Sequence, residues 1–199
     1  ISLNSVYHIC ELFLIAGMSM SPFLENTFIT DLGFGGGFAL WGFRAMAAGC
    51  GGCRTLRGGF HKAFNQNAAG LRSPDEMTEG LLAMKALAGF CRSLGENGKR
   101  KILLSESGTL RLTADEVSLV AALSAAQANQ SSLCRAHLLW LQGNSKTKAA
   151  CEAAAEYGLI CAEAEIFIEA PRVQITQLSP SQTADHCTPL HEARSDSVH

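Results

Sequence analysis

Cys50 and Cys53, separated by two glycines in "AGCGGCRTLRGGFHKAF" (48–64), are the residues whose types and spacing come closest to chemistry. A Cys-x-x-Cys pair at the start of a helix can hold a thiolate. The helix dipole and its unpaired N–H groups lower the thiol pKa, and Arg54 adds a positive neighbour. That is dithiol redox chemistry. The same spacing is also half of a tetrahedral zinc site, with Gly51-Gly52 permitting the tight turn between ligands. The other ligands would have to come from afar: Cys187 with His191 in a C-x3-H arrangement, His61, or Cys134 with His137.

Each of these readings has a plainer competitor. A thioredoxin-type motif needs a strand leading into it within a βαβ unit, whereas "LWGFRAMAAG" ahead of Cys50 is helical in pattern. Cys53 recurs with Leu56, Phe60 and Phe64 at helical spacing, which directs it to the core. His137 shares a face with Leu133 and Trp140, and Cys187 and His191 fall in a polar tail. The expectation is therefore a glycine turn between two buried helices, with no cofactor. Zinc held by Cys50 and Cys53, or a redox dithiol there, is the chemical alternative.

Nothing else on the chain spells out an activity. No G-x-S-x-G, H-E-x-x-H or G-x-x-x-x-G-K-[ST] motif is present. "GFGGG" (33–37) precedes a helix without a strand or a lysine, and reads as a flexible lead-in. Asp75-Glu76 and Asp115-Glu116 are explained as acids favouring helix N-termini. No catalytic residue is assigned, and the balance leans away from an enzyme.

The elements that must position these residues are helical. A chain of 199 residues, 47% hydrophobic and 17% charged, supports one domain with a sizeable core. Phe34, Phe38 and Trp41 recur at helical spacing in "FGGGFALWGFRAMAAG" (34–49), a helix buried over most of its surface once it clears Gly35, Gly36 and Gly37. Gly58 and Gly59 weaken the next helix by about 1 kcal/mol each relative to alanine, so close packing is expected there. Ser73, Pro74 and Glu76 form a capping box for a third helix with a stripe of Met77, Leu81, Met84, Ala88 and Cys91.

"KILLS" (101–105) and "TLRLT" (109–113) around "ESG" read as a β-hairpin. A second capping box, Thr113 to Glu116, opens "ADEVSLVAALSAAQA"; a helix follows Ser131-Ser132, then an alanine-rich one from about 146 to 157, stopped by Gly158. "AEIFIEA" fits strand or helix. The fold class expected is mostly α, a compact domain of about six helices with one β-hairpin near 101–113. Its domain spans 20–170. Residues 1–19 form a non-native or loosely packed extension, and 171–199 a disordered tail.

The order "FALWGFRAMAAG", "LRGGFHKAF", a hairpin running into "LTADEVSLVAALSAAQ", then "RAHLLWL" resembles small, mostly helical bacterial proteins with no assigned activity, over roughly residues 34–160. The resemblance implies packing and carries no catalytic or binding residue.

Charge and cysteine usage narrow the partners. A formal net charge of −2 argues against a general nucleic-acid binder. The basic clusters, Arg54, Arg57, His61 and Lys62 and then Lys99-Arg100-Lys101, read as solvated faces rather than a phosphate-binding patch. The eight cysteines are even in number, but Cys53, Cys91, Cys134 and Cys151 lie within helical patterns, as buried thiols of a reducing, cytoplasmic protein would. "ICELFLIAG" is too short for a membrane span of about 20 residues. The functional expectation is an interaction or regulatory module for an unknown protein partner or for self-association, with the aromatics of 34–46 as its surface.

Overall fold

The computed structural model describes residues 27–64, 78–106 and 108–171. Six helices carry the fold, α1 (Gly33–Ala47), α2 (Arg54–Phe64), α3 (Glu79–Asn97), α4 (Ala114–Gln127), α5 (Ser131–Gln142) and α6 (Lys148–Glu163), with a short 3-10 turn at Ile29–Leu32 before α1. The extension at 1–19, the capping box at Ser73–Glu76, and residues 172–199 of the expected tail lie outside the described residues.

Helix α4 forms the centre. It is buried along its length except at Ala114, Ala121 and Gln127, and packs against α1, α5 and α6. Its alanines and serines keep it thin enough for neighbours to approach from several sides. Its N-terminus is built as the sequence predicts. Thr113 Oγ1 accepts the Glu116 N–H at 3.1 Å, and Glu116 Oε2 accepts the Thr113 N–H at 2.9 Å.

Helix α3 lies between α2 and α6 and also touches α1. Because it has neighbours on two sides, its buried residues are Gly80, Ala83, Ala86, Leu87, Phe90, Ser93 and Leu94. The expected stripe of Leu81, Met84, Ala88 and Cys91 is half-buried at its margin, and Met77 lies outside the described residues. The described helix starts at Glu79, capped by Thr78, whose side chain accepts the Leu81 N–H at 3.4 Å.

Two glycine expectations change. Helix α1 begins at Gly33 and includes all three glycines, because residues 166–169 lie across it: a Cβ on Gly35 would stand 2.2 Å from the Phe167 carbonyl oxygen. Helix α6 runs through Gly158 rather than stopping there. That glycine brings α6 against the end of α4, where a Cβ would be 3.0 Å from the Gln127 backbone. "AEIFIEA" is neither strand nor helix beyond Ala164. Gln127 clamps it by donating to the Ile166 carbonyl at 2.9 Å and accepting the Ile168 N–H at 2.7 Å.

The β-hairpin is not formed; among the described residues there is no strand, only an isolated antiparallel bridge between Phe28 and Arg111. The turn itself closes, with Thr109 N–H on the Glu106 carbonyl at 3.0 Å, but the two arms find other partners. Leu103 and Ser105 donate their N–H groups to the Asp115 and Glu116 carboxylates at 2.8 and 2.9 Å. The second arm pairs instead with residues 27–29, through Ile29 N–H to Leu110 O and Leu112 N–H to Thr27 O. Carboxylates make stronger acceptors than peptide carbonyls, so the acidic start of α4 takes the donors a hairpin would have used.

Candidate functional site

The Cys50-Gly-Gly-Cys53 segment is the turn between α1 and α2. It is closed by Cys53 N–H on the Cys50 carbonyl at 2.9 Å. Cys53 occupies the position before α2, where its Sγ accepts the Leu56 N–H at 3.3 Å. The sulfur thus serves a first-turn amide as a serine oxygen would. Cys53 is half-buried and packs against the core, as its stripe predicted; Cys50 is exposed.

The rest of that stripe behaves as expected. Leu56, Phe60 and Phe64 are buried, and Phe60 is ringed by Phe38, Phe64 and Trp41 at centroid distances of 4.8, 6.0 and 6.4 Å. Gly59 has its packing reason, since a Cβ would meet the Trp41 ring at 2.6 Å. Gly58 has none among the described residues: a Cβ there would meet nothing within 4 Å.

Gly58 lies on the opposite face of α2, which borders a cleft of about 560 Å³ between α2 and the start of α3. Arg54, Arg57 and His61 line it at spacings of three and four, so one helical stripe carries all three. Gly52 forms one rim. Thr78 and Gly80, at the first turn of α3, form the other. Gly80 permits this close approach; a Cβ would stand 2.6 Å from the Phe60 carbonyl oxygen. No acidic residue lines the cleft among the described residues.

The cations of α1 and of the α3–α4 loop are placed differently. Arg44, 7% exposed, forms a forked pair with the fully buried Glu116, Nε to Oε1 at 2.7 Å and Nη2 to Oε2 at 3.0 Å. Its Nη1 donates to the Thr109 carbonyl at 2.8 Å. Burial pushes the Glu116 carboxyl up, but the Arg44 guanidinium and the Thr113 and Ser105 amides outweigh it and hold the group below its ordinary value. Arg100 pairs with Asp115, donates to the Trp140 carbonyl at 2.7 Å, and lies 4.9 Å from the Trp140 ring centroid. In sequence, Asp115 and Glu116 read as helix-end charges. They are that, and they also fasten the 101–113 segment to α1 and α4. The signal was present in the adjacent acids following a polar-capped apolar segment, but their partners are distant in sequence.

The other described thiols, Cys91, Cys134, Cys151 and Cys161, pack in or against the core. Burial pushes Cys91 and Cys161 up to about 12. Burial, then the neighbouring Cys151, does the same for Cys134. Burial lowers the His137 pKa. Cys187 and His191 lie outside the described residues, and His61 lines the cleft. Among the described residues no three His, Cys, Asp or Glu side chains gather as a metal site, and no helix is long and apolar enough to cross a membrane.

No family model, no curated protein and no solved structure matches the chain.

Proposed function

We propose that the chain is a helical interaction module whose contact surface is the aromatic region at the start of α1. The exposure of Phe34 and Phe167, 66% and 67%, carries this reading. The two residues flank a tight contact, since the Phe167 backbone presses on Gly35, the residue after Phe34. Phe34 continues inward as a stack on Phe38 at 5.7 Å, so the exposed ring is attached to the core cluster and not to a loose loop. Scattered exposed apolar residues are ordinary; two exposed aromatic residues beside one close backbone contact support a surface that a partner covers.

Light scattering together with hydrophobic-dye binding tests the reading on the full chain. The expected result is self-association or strong dye fluorescence, reduced in the Phe34→Ser/Phe167→Ser variant with helicity unchanged. A compact monomer with negligible dye signal overturns it.

A second reading keeps Cys50 and Cys53 as a thiol or zinc pair. The accessibility of Cys50, and the turn that brings both residues within an i to i+3 hydrogen bond, favour it. Metal content per chain, measured on protein purified without chelator, decides that reading. Near-stoichiometric zinc lost in Cys50→Ser/Cys53→Ser supports a metal site, and its fold would weaken together with metal loss.

A further inference from the structure

The geometry points to the α2–α3 cleft as a binding site for a small organic phosphate, on a surface separate from the aromatic one. Two guanidinium groups, Arg54 and Arg57, and the His61 imidazole line one wall of this cavity. No ion pair or hydrogen bond engages any of the three among the described residues. Arg100, in the other basic run, already has its carboxylate and its aromatic ring.

Helix electrostatics sharpen the contrast. The first turn of α2 carries Arg54 and no acid, the reverse of what the positive end of a helix favours. Across the cavity, Thr78 and Gly80 present the start of α3, the positive end of that helix, with its Leu81 N–H already capped by Thr78. Two helix N-termini, two guanidinium groups and an imidazole thus border one volume. Glu79, the acid nearest in sequence on α3, is not among the lining residues. A phosphate there would receive guanidinium forks from Arg54 and Arg57, which match its oxygens in pairs, and backbone donors of the kind helix N-termini supply to anions.

The cleft has room for more than a phosphate group. A cavity of about 560 Å³ falls in the range of about 300–1,000 Å³ that small-molecule sites occupy, well beyond one inorganic phosphate. Gly52 and Gly58 leave the walls bare, with nothing within 4 Å of where a Cβ would stand. Leu81 and Met84 add apolar lining for an organic moiety.

Isothermal titration calorimetry of the full chain with phenyl phosphate and with inorganic phosphate, at about 0.15 M salt so that unstructured charge attraction is screened, tests this. Saturable binding of phenyl phosphate is expected, tighter than that of inorganic phosphate. The Arg54→Ala/Arg57→Ala variant should lose at least about tenfold in affinity with its circular dichroism unchanged, and Lys99→Ala should retain it. Absence of saturable binding, an unaltered affinity in the double variant, or an equal loss in Lys99→Ala overturns the site. Equal affinity for the two phosphates overturns the organic ligand.

Discussion

Arg44 with Arg100, and Arg54 with Arg57, are two sets of cations that the fold treats in opposite ways. The first set is matched: Glu116 and Asp115 answer each guanidinium, and the remaining lone pairs of those carboxylates accept backbone N–H groups from Leu103, Ser105 and Thr113. The second set lines an open cleft with no acid on its walls among the described residues. Matched buried charge fixes chain segments in place, whereas unmatched exposed charge is free to act on something outside the chain. The difference is made by tertiary placement, because as residue types the two sets are alike.

The largest expected effect comes from breaking the matched set. Arg44→Met leaves the Glu116 carboxylate fully buried without its counter-charge, and should cost about 3–5 kcal/mol in urea unfolding. Adding Glu116→Gln to that variant removes the orphaned charge, so the double variant should recover part of the loss, a coupling that a double-mutant cycle measures directly. A loss below about 1 kcal/mol for Arg44→Met, the range of an exposed pair, would show that the pair is not held as described. In the unmatched set, Arg57→Ala should leave stability within about 0.5 kcal/mol of the parent.

Acid sharpens the same comparison with a smaller effect. The Glu116 carboxyl is held below its ordinary value in the folded chain, so the unfolded chain binds the proton more readily. Its contribution is therefore complete above the unfolded carboxylate pKa of about 4.3, and is lost as pH falls through the lower folded value. His137, lowered by burial, acts in a higher window. Its contribution is complete above about 6.5 and declines as pH falls through its folded value. Urea midpoints measured from pH 7.5 down to pH 3 should fall in two stages. His137→Gln should flatten the upper stage and Glu116→Gln the lower. A midpoint independent of pH over that range would contradict both placements.

How much of this was legible in the sequence follows from the range of the interactions involved. The Thr113–Glu116 capping box spans three residues, and it forms as read. The Leu56, Phe60 and Phe64 stripe is a local period, and it is buried as read. The hairpin failed because its outcome depended on competition between a neighbouring strand and the Asp115 and Glu116 carboxylates, which only the folded chain brings together. Gly158 failed for a related reason: as a helix stop it is a local signal, but contact with Gln127 gives it a packing role inside α6. Of the candidate site residues, Cys53 was placed correctly on its stripe. The convergence of Arg54, Arg57 and His61 with the start of α3 was not legible, because Thr78 and Gly80 reach them only through the crossing of two helices.

The smallest effect separates glycines that pack from a glycine that leaves room. Gly80→Ala would put a methyl group 2.6 Å from the Phe60 carbonyl oxygen and 2.9 Å from the His61 Cα. Both are backbone atoms that cannot rotate away, so α3 must shift off α2 at a cost of about 1–3 kcal/mol. Gly58→Ala meets no neighbour within 4 Å and replaces the poorest ordinary helix former with the best, so it should stabilise the chain by about 0.5–1 kcal/mol. A sequence tuned for stability alone would carry alanine at 58. If Gly58→Ala raises the urea midpoint while weakening phenyl phosphate binding, the glycine is keeping the cleft open between Arg54, Arg57 and His61. If it raises the midpoint with binding unaltered, the ligand does not approach Gly58, and the glycine has no part in the cleft.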